Sequence, residues 1–272
     1  MLSTIDRSTR SAVITYLARR PFENAYVRWL VESGYGAVED LWVWRRWDRE
    51  ICGVVYFGPQ IVIAADDLAA VDAFAIEARR HPTFRMVVGP KPLVEHFWDR
   101  VKTWSRPPTA IRERQKLFVL TPDALQSFDP GVPIRPALAD EAESIVEHSA
   151  QMMLGELGYD PRERRPGFAY GVRRLIDRGW WWVWKEDAEL RFMLNIGART
   201  EQTTQLQGVW TPPDLRGRGY ASRGMAAICG RLLESTPTLS LYVNDFNERA
   251  VALYERLGFA VAGELSTYIF LD

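Results

Sequence analysis

One order of elements occurs twice in this chain, and it leaves few folds open. In the first half, "LWVWRRWDREICGVVYFG" reads as a tryptophan-rich hairpin and "QIVIA" as a short strand. "DDLAAVDAFAIEARR" then reads as a helix, "FRMVVG" as a strand and "KPLVEHFWDRV" as a helix. In the second half the same order returns. "WWWVWKEDAELRFMLNIG" is a hairpin turning at Glu186-Asp187-Ala188, and "TTQLQGVW" is a strand. "RGYASRGMAAICGRLLES" is a helix with Ala221, Met225, Ile228, Leu232 and Leu233 on one face. "LSLYVN" is a strand, and "NERAVALYERLGF" is a helix with Asn247 suited to its N-cap and Gly258 to its end. A strand, "ELSTYIFLD", closes the chain. The pattern of elements repeats, not the residues, which points to two related domains. The expected fold class is α+β, with each domain a mixed, mostly antiparallel sheet flanked by helices. The turn formers Asp129-Pro130-Gly131 mark a linker, giving expected domains at 1–128 and 132–272. A short strand, Pro133 to Arg135, a helix from about Asp140 to Leu154 and a helix over Phe168 to Asp177 should open the second domain.

Composition excludes several function classes. With 47% hydrophobic and 25% charged residues over 272 positions, the chain reads as soluble and globular, long enough for two cores. A net charge of −1 gives no bulk attraction to nucleic acid, and the arginines at Arg162, Arg164 and Arg165 read as a solvated loop. His81, His96 and His148 lack metal-ligand spacing, so no metal is expected. Cys52 and Cys229 lie in apolar stretches and read as buried small hydrophobes. Neither a signal-peptide core nor a membrane-spanning run stands out, so a cytoplasmic location with no membrane partner is expected.

The stretch "LRGRGYA" does more than turn the chain. It follows Pro212-Pro213 and opens a helix, where unpaired N–H groups and the positive end of the dipole are found. Gly217 and Gly219 let the backbone approach a bulky anion, and Arg216 and Arg218 add charge beside it. The turn is not a P-loop, which needs a lysine followed by Ser or Thr. Nor is it a dinucleotide fingerprint, because Ser222 stands where the third glycine belongs. A basic surface turn remains the alternative from these residues alone.

Taken with the second helix, the turn resembles the GNAT superfamily of acyl-CoA-dependent N-acyltransferases. Arg216, Gly217, Gly219 and Ala221 match that family's glycine turn, and Asn247, Ala250, Tyr254 and Gly258-Phe259 match its downstream signature. "PIRPALADEAESI" is similar to its opening strand and helix, so the resemblance covers about Val132 to Asp272. It implies acetyl-CoA, or another acyl-CoA, as co-substrate and an amine as acceptor. The pyrophosphate would rest on the N–H groups from Arg216 through Gly217, Arg218, Gly219 and Tyr220 to Ala221. The pantetheine arm would pair with the strand edge at Val209, Trp210 and Thr211. Tyr254 would face the sulfur, and Asn247 would serve the cofactor as well as the helix. Relatives often carry a glutamate on the strand before the turn; here Thr203, Thr204, Gln205 and Gln207 are uncharged. Glu156, in a loop expected after the first helix, is the candidate general base. A non-catalytic acyl-CoA-binding regulatory module is the competing implication, and a second copy of the chain is a possible partner. In the first half, Asp66 and Asp67 occupy the corresponding helix start and would repel a pyrophosphate.

Overall fold

The computed structural model describes residues 1–34, 38–126, 131–164 and 167–271. The expected linker at Asp129-Pro130 and Arg165 lie outside the described residues, while Arg162 and Arg164, expected in a loop, lie in a short helix, Pro161–Arg164. The first half runs β1 (Leu2–Thr4), α1 (Arg10–Leu17), α2 (Ala25–Ser33), β2 (Leu41–Arg45), β3 (Ile51–Phe57), β4 (Ile61–Ala65), α3 (Leu68–Glu77), β5 (Met86–Pro90), α4 (Lys91–Val101) and β6 (Ala110–Leu120). The second half runs β7 (Arg135–Pro136), α5 (Ala142–Leu157), α6 (Pro161–Arg164), α7 (Phe168–Asp177), β8 (Trp181–Glu186), β9 (Glu189–Arg199), β10 (Thr204–Trp210), α8 (Tyr220–Leu233), β11 (Leu239–Asn244), α9 (Glu248–Leu257) and β12 (Ala260–Ile269). The repeat read from the sequence is therefore present, and longer than expected, since strand β1 and helices α1 and α2 have counterparts in β7, α5 and α7.

Among the described residues, twelve strands join one sheet, in the order β1-β2-β3-β4-β5-β12-β6-β11-β10-β9-β8-β7. The last strand of each half has crossed to the other. β6 pairs antiparallel with β11, from Leu120–Leu239 to Gln115–Asn244. β12 pairs antiparallel with β5, from Pro90–Leu265 to Met86–Ile269. β6 and β12 then pair with each other at the centre. Pairing is antiparallel except at β4–β5 and β10–β11. Two sheets of separate domains would each have kept their own closing strand; here each half's sheet is completed by the other's chain.

Period-two alternation decides which face each strand residue buries. Val55, Phe57, Ile61, Ile63 and Ala65 share a cluster with Val71, Phe74, Val94 and Phe97 of α3 and α4. Their neighbours Val54, Tyr56, Val62 and Ala64 pack with Val13, Leu17, Val27 and Leu30 of α1 and α2. In the second half, Phe192, Leu194 and Ile196 pack with Met225, Ile228 and Leu257 of α8 and α9. Leu190 and Met193 pack on the opposite side with Ile145, Val172 and Ile176 of α5 and α7. Sheets covered on both faces read as near-continuous apolar strands, as β3 and β4 do.

α2 also reaches across the two halves. Arg28 is buried, donates to Gln202 from one terminal nitrogen and holds Glu32 at 2.6 Å through Nε. Trp29 packs on Trp180 with ring centroids 5.2 Å apart. Cys52 and Cys229 are buried free thiols, as their apolar surroundings implied.

Candidate active site

β10 and β11 run parallel but pair only at Thr204–Leu239 and Gln205–Ser240. Beyond those pairs each strand follows its outer neighbour. β10 stays on β9 as far as Trp210–Met193, and β11 stays on β6 as far as Asn244–Gln115. The facing edges, 206–210 and 241–244, therefore have no strand partner among the described residues. Their N–H and C=O groups line a wedge that opens toward the C-terminal ends of both strands. A bulge widens it. Between Gln207 and Trp210, β10 spends three steps against two on β9, and Gly208 takes φ +64°. A side chain there would collide with the Asn195 amide, whose Oδ1 lies 2.5 Å from the would-be Cβ.

The wedge ends at the glycine turn. Buried Leu215 anchors a short 3-10 turn, Pro213–Leu215, and Arg216 Nε donates to the Thr211 carbonyl at 3.2 Å. Gly217 and Gly219 follow at φ +79° and +83° with open space around both, so backbone conformation rather than crowding selects glycine. Gly219 occupies the N-cap of α8 and offers no side-chain cap. The N–H groups of Gly217 through Ser222 meet no acceptor among the described residues, and the first to do so is Arg223, on the Gly219 carbonyl at 3.1 Å. Residues 216–219 are exposed. Bare amides at the positive end of a fourteen-residue helix form an anion cradle. The helix start is held from behind: Tyr220 stacks edge-on against Trp184 at 5.0 Å, and Arg223 lies over Trp184 at 4.9 Å.

Residues 150–259 match the acetyltransferase (GNAT) family, and residues 39–145 match a domain of unknown function, DUF4081. Residues 150–259 carry a GNAT acetyltransferase domain. Among curated proteins nothing matches the sequence. Solved structures share the fold over the full length. A GNAT-family acetyltransferase from Colwellia psychrerythraea is 11% identical with TM-score 0.59, covering 100% of both chains. A GCN5-related N-acetyltransferase from Kribbella flavida is 16% identical with TM-score 0.59, covering 95% of each. A tandem GNAT protein from the clavulanic acid biosynthesis pathway is 12% identical with TM-score 0.58, covering 99% of this chain and 98% of its own. The family match of residues 150–259 supports an acyl-CoA-dependent acyltransferase in general.

Within the GNAT domain, Tyr254 sits on α9 in the core, 6.0 Å from the Phe118 ring and 5.7 Å from Phe259. Burial raises its hydroxyl above the usual phenol range, and the Cys229 thiol and Glu156 carboxylate push the same way. Asn247 caps α9, accepting from the Ala250 N–H at 3.3 Å. Trp210 turns its ring into the core beside His148, 5.2 Å away, so only its backbone faces the wedge. Thr211, expected on the strand edge, lies one residue past the end of β10. Glu156 needs a larger correction. α5 runs to Leu157 before Gly158 ends it at φ +75°, so Glu156 occupies the last turn of a helix, not a loop. Its carboxylate is 57% exposed and lies 3.7 Å from Arg112.

The sequence reading overlooked the other groups on this face. The strand "AIRERQKLFVL" was not among the expected elements, because charges fill its first half. Between Leu265 and Thr267, β12 advances two residues while β6 advances three, from Gln115 back to Arg112. That extra residue turns Arg112 onto the same face as Gln115. Gln115 Nε2 donates to Asn244 Oδ1 at 2.9 Å, and Thr267 Oγ1 donates to Gln115 Oε1 at 2.5 Å. Tyr242 shares the face; burial raises its hydroxyl, Arg112 opposes that and Glu156 reinforces it. A run of alternating charges broken by one glutamine was the available signal. Among the described residues no group of three or more His, Cys, Asp or Glu side chains is placed to hold a metal ion. No described helix is long and apolar enough to cross a membrane.

Proposed function

We propose that the chain is an acyl-CoA-dependent N-acyltransferase, with acetyl-CoA as donor and a primary amine as acceptor, reacting in a ternary complex. The observation that carries this reading is a wedge of unpaired strand edge leading straight to six bare amides, Gly217 through Ser222. The pantetheine arm is an extended chain of amides and suits the edge at Val209 and Trp210; the diphosphate suits the cradle. In this reading residues 132–272 carry the chemistry, and residues 1–128 hold that half and shape the acceptor cleft.

The ammonium first gives up one proton, for which Glu156 or a water chain through it is the acceptor. The amine nitrogen then attacks the thioester carbonyl carbon, and a free N–H on β10 donates to the oxygen as it gains charge. The new C–N bond forms, the C–S bond breaks, and the nitrogen's second proton ends on sulfur, relayed through the Tyr254 hydroxyl. The thiolate is a tolerable leaving group, with a pKa of about 8.5, so the acid contributes only part of the acceleration.

Isothermal calorimetry with coenzyme A, followed by transfer from acetyl-CoA to a panel of amines with Tyr254→Phe as control, tests this. Absence of coenzyme A binding removes the reading. Two features favour the alternative, a non-catalytic acyl-CoA-binding module: β10 carries no carboxylate, and Glu156 already has Arg112 as a neighbour. Tight binding with no transfer to any amine would select it.

A further inference from the structure

Resting on the acyltransferase reading, we propose that the acceptor is an amine that carries its own carboxylate, an α-amino acid or a close relative. Arg112 takes the carboxylate and Glu156 takes the ammonium group.

The face beside the wedge is polar but almost uncharged. Gln205 and Gln207 of β10, Tyr242 and Asn244 of β11 and Gln115 of β6 supply neutral donors and acceptors. Arg112 and Glu156 bring one charge of each sign to that face, and both act on the Tyr242 hydroxyl. Arg112 belongs to the exchanged strand of the first half and is turned there only by the bulge in β6. Its contact with Glu156 is loose. One nitrogen approaches the carboxylate at 3.7 Å and the Glu156 carbonyl at 3.4 Å. Elsewhere in this chain Arg135 grips Glu141 with two nitrogens, at 2.8 and 2.9 Å. A carboxylate offered to Arg112 in that two-pronged manner forms the stronger pair and releases Glu156. A plain amine has the opposite effect. Drawing Glu156 to its ammonium leaves a guanidinium only 18% exposed without an anion, and a half-buried unpaired charge disfavours the complex. An amino acid satisfies both groups together.

The test compares each α-amino acid with its carboxamide and with the amine lacking the carboxylate, at saturating acetyl-CoA. The carboxamide has the more readily deprotonated amine, so amine basicity works against the expected result. The acid should exceed the carboxamide by about 30-fold in kcat/KM. Arg112→Gln should abolish that ratio, and Arg112→Lys should restore part of it, with coenzyme A affinity unchanged by calorimetry. Arg112 also touches the end of α5, but a purely structural role would lower activity toward all acceptors alike and leave the ratio intact. Equal use of acid and carboxamide by the unaltered protein would overturn the proposal, as would a preference that survives Arg112→Gln. Coenzyme A binding without acetylation of any carboxylate-bearing amine would overturn it too, and the wild-type comparison suffices even where a variant fails to fold. Failure to bind coenzyme A would instead overturn the acyltransferase reading, and this proposal with it.

Discussion

The two halves contain the same wedge and treat it oppositely. β4 and β5 are parallel and pair only at Ile61–Val87 and Val62–Val88, as β10 and β11 do at their own start. In the first half the strands then close up: at Gly89 a Cβ would lie 2.8 Å from the Ile63 carbonyl oxygen. Asp66 and Asp67 alone connect β4 to α3. Asp67 caps the helix by accepting from the Ala69 N–H at 2.8 Å, and Asp66 holds Arg20 at 3.1 Å while its charge adds to burial in raising the Tyr16 hydroxyl. In the second half the connection spans 211–219, contains no side-chain cap and leaves its amides bare. The topology offers an anion site twice. One half meets it with its own carboxylates, and the other leaves its amides bare.

Making the second half imitate the first should have the largest effect. Gly219→Asp places a carboxylate at the N-cap of α8, as Asp67 stands at the N-cap of α3. Coenzyme A affinity should fall at least about 100-fold through repulsion and a filled cradle. Gly219→Ala separates that from backbone strain, because both substitutions pay the cost of φ +83°, roughly 1 kcal/mol. Calorimetry on both variants decides it, and equal losses for Ala and Asp would break the contrast between the halves.

The next effect belongs to chemistry rather than binding. Tyr254→Phe should lower kcat by about 10- to 100-fold and leave coenzyme A affinity within a factor of about two. Burial raises the phenol, so it keeps its proton past the pH where an exposed tyrosine ionises. The wild-type rate should accordingly show no descending limb as pH rises through about 10 from loss of this acid. A limb there that Tyr254→Phe abolishes would mean the hydroxyl is more solvated than its setting implies.

A third test compares how each half anchors its entry. Glu141, beside β7, is held by Arg135 first and by the Leu138 N–H and Lys185 besides, and its pKa is lowered to about 2. Asp6, after β1, leans on the Ser8 hydroxyl first and then on Thr9, and is also lowered, but in the open. A carboxylate with a depressed native pKa stabilises the fold above its unfolded value and loses that contribution as pH falls through the native value. Glu141→Gln should therefore cost about 2 kcal/mol at neutral pH, allowing for the partly exposed Arg135. The gap to wild type should shrink from about pH 4.5 and vanish near pH 2. Asp6→Asn should show a much smaller gap over the same range by denaturant unfolding.

What the sequence disclosed divides along the same line. Local signals were readable: the elements that make up the repeat, the hairpin turn with Asp187 and Ala188 at positive φ, helix α7 over Phe168–Asp177, the Asn247 cap and the glycine turn. Each rests on residues a few positions apart. The crossing of β6 and β12 was not readable, because pairing between strands distant in sequence leaves no periodic mark. β6 leaves no apolar mark: its charged half lies beside the wedge and at ion pairs such as Arg114–Glu264, where burial never selected apolar residues. Glu156 was named but misplaced, since Leu154-Gly155 looked like a helix end and the chain continues to Gly158. Arg112 depends on a bulge counted across two strands, which no single stretch of sequence contains.

The smallest effect asks whether the carboxylates of the first half only cap a helix or also hold the wedge shut. Asp67→Ala removes one cap and should cost about 1 kcal/mol, seen as a fall in Tm of about 2–4 °C for a chain of this size. Asp66 keeps Arg20, and the strands remain closed at Gly89. Coenzyme A should therefore still bind with a stoichiometry of one and an unchanged affinity. A second binding event in Asp67→Ala would mean the backbone of the first half is competent and that one carboxylate alone excludes the diphosphate. No second event in Asp66→Asn combined with Asp67→Ala would place the exclusion in the closed strands instead, making the halves differ in shape before they differ in charge.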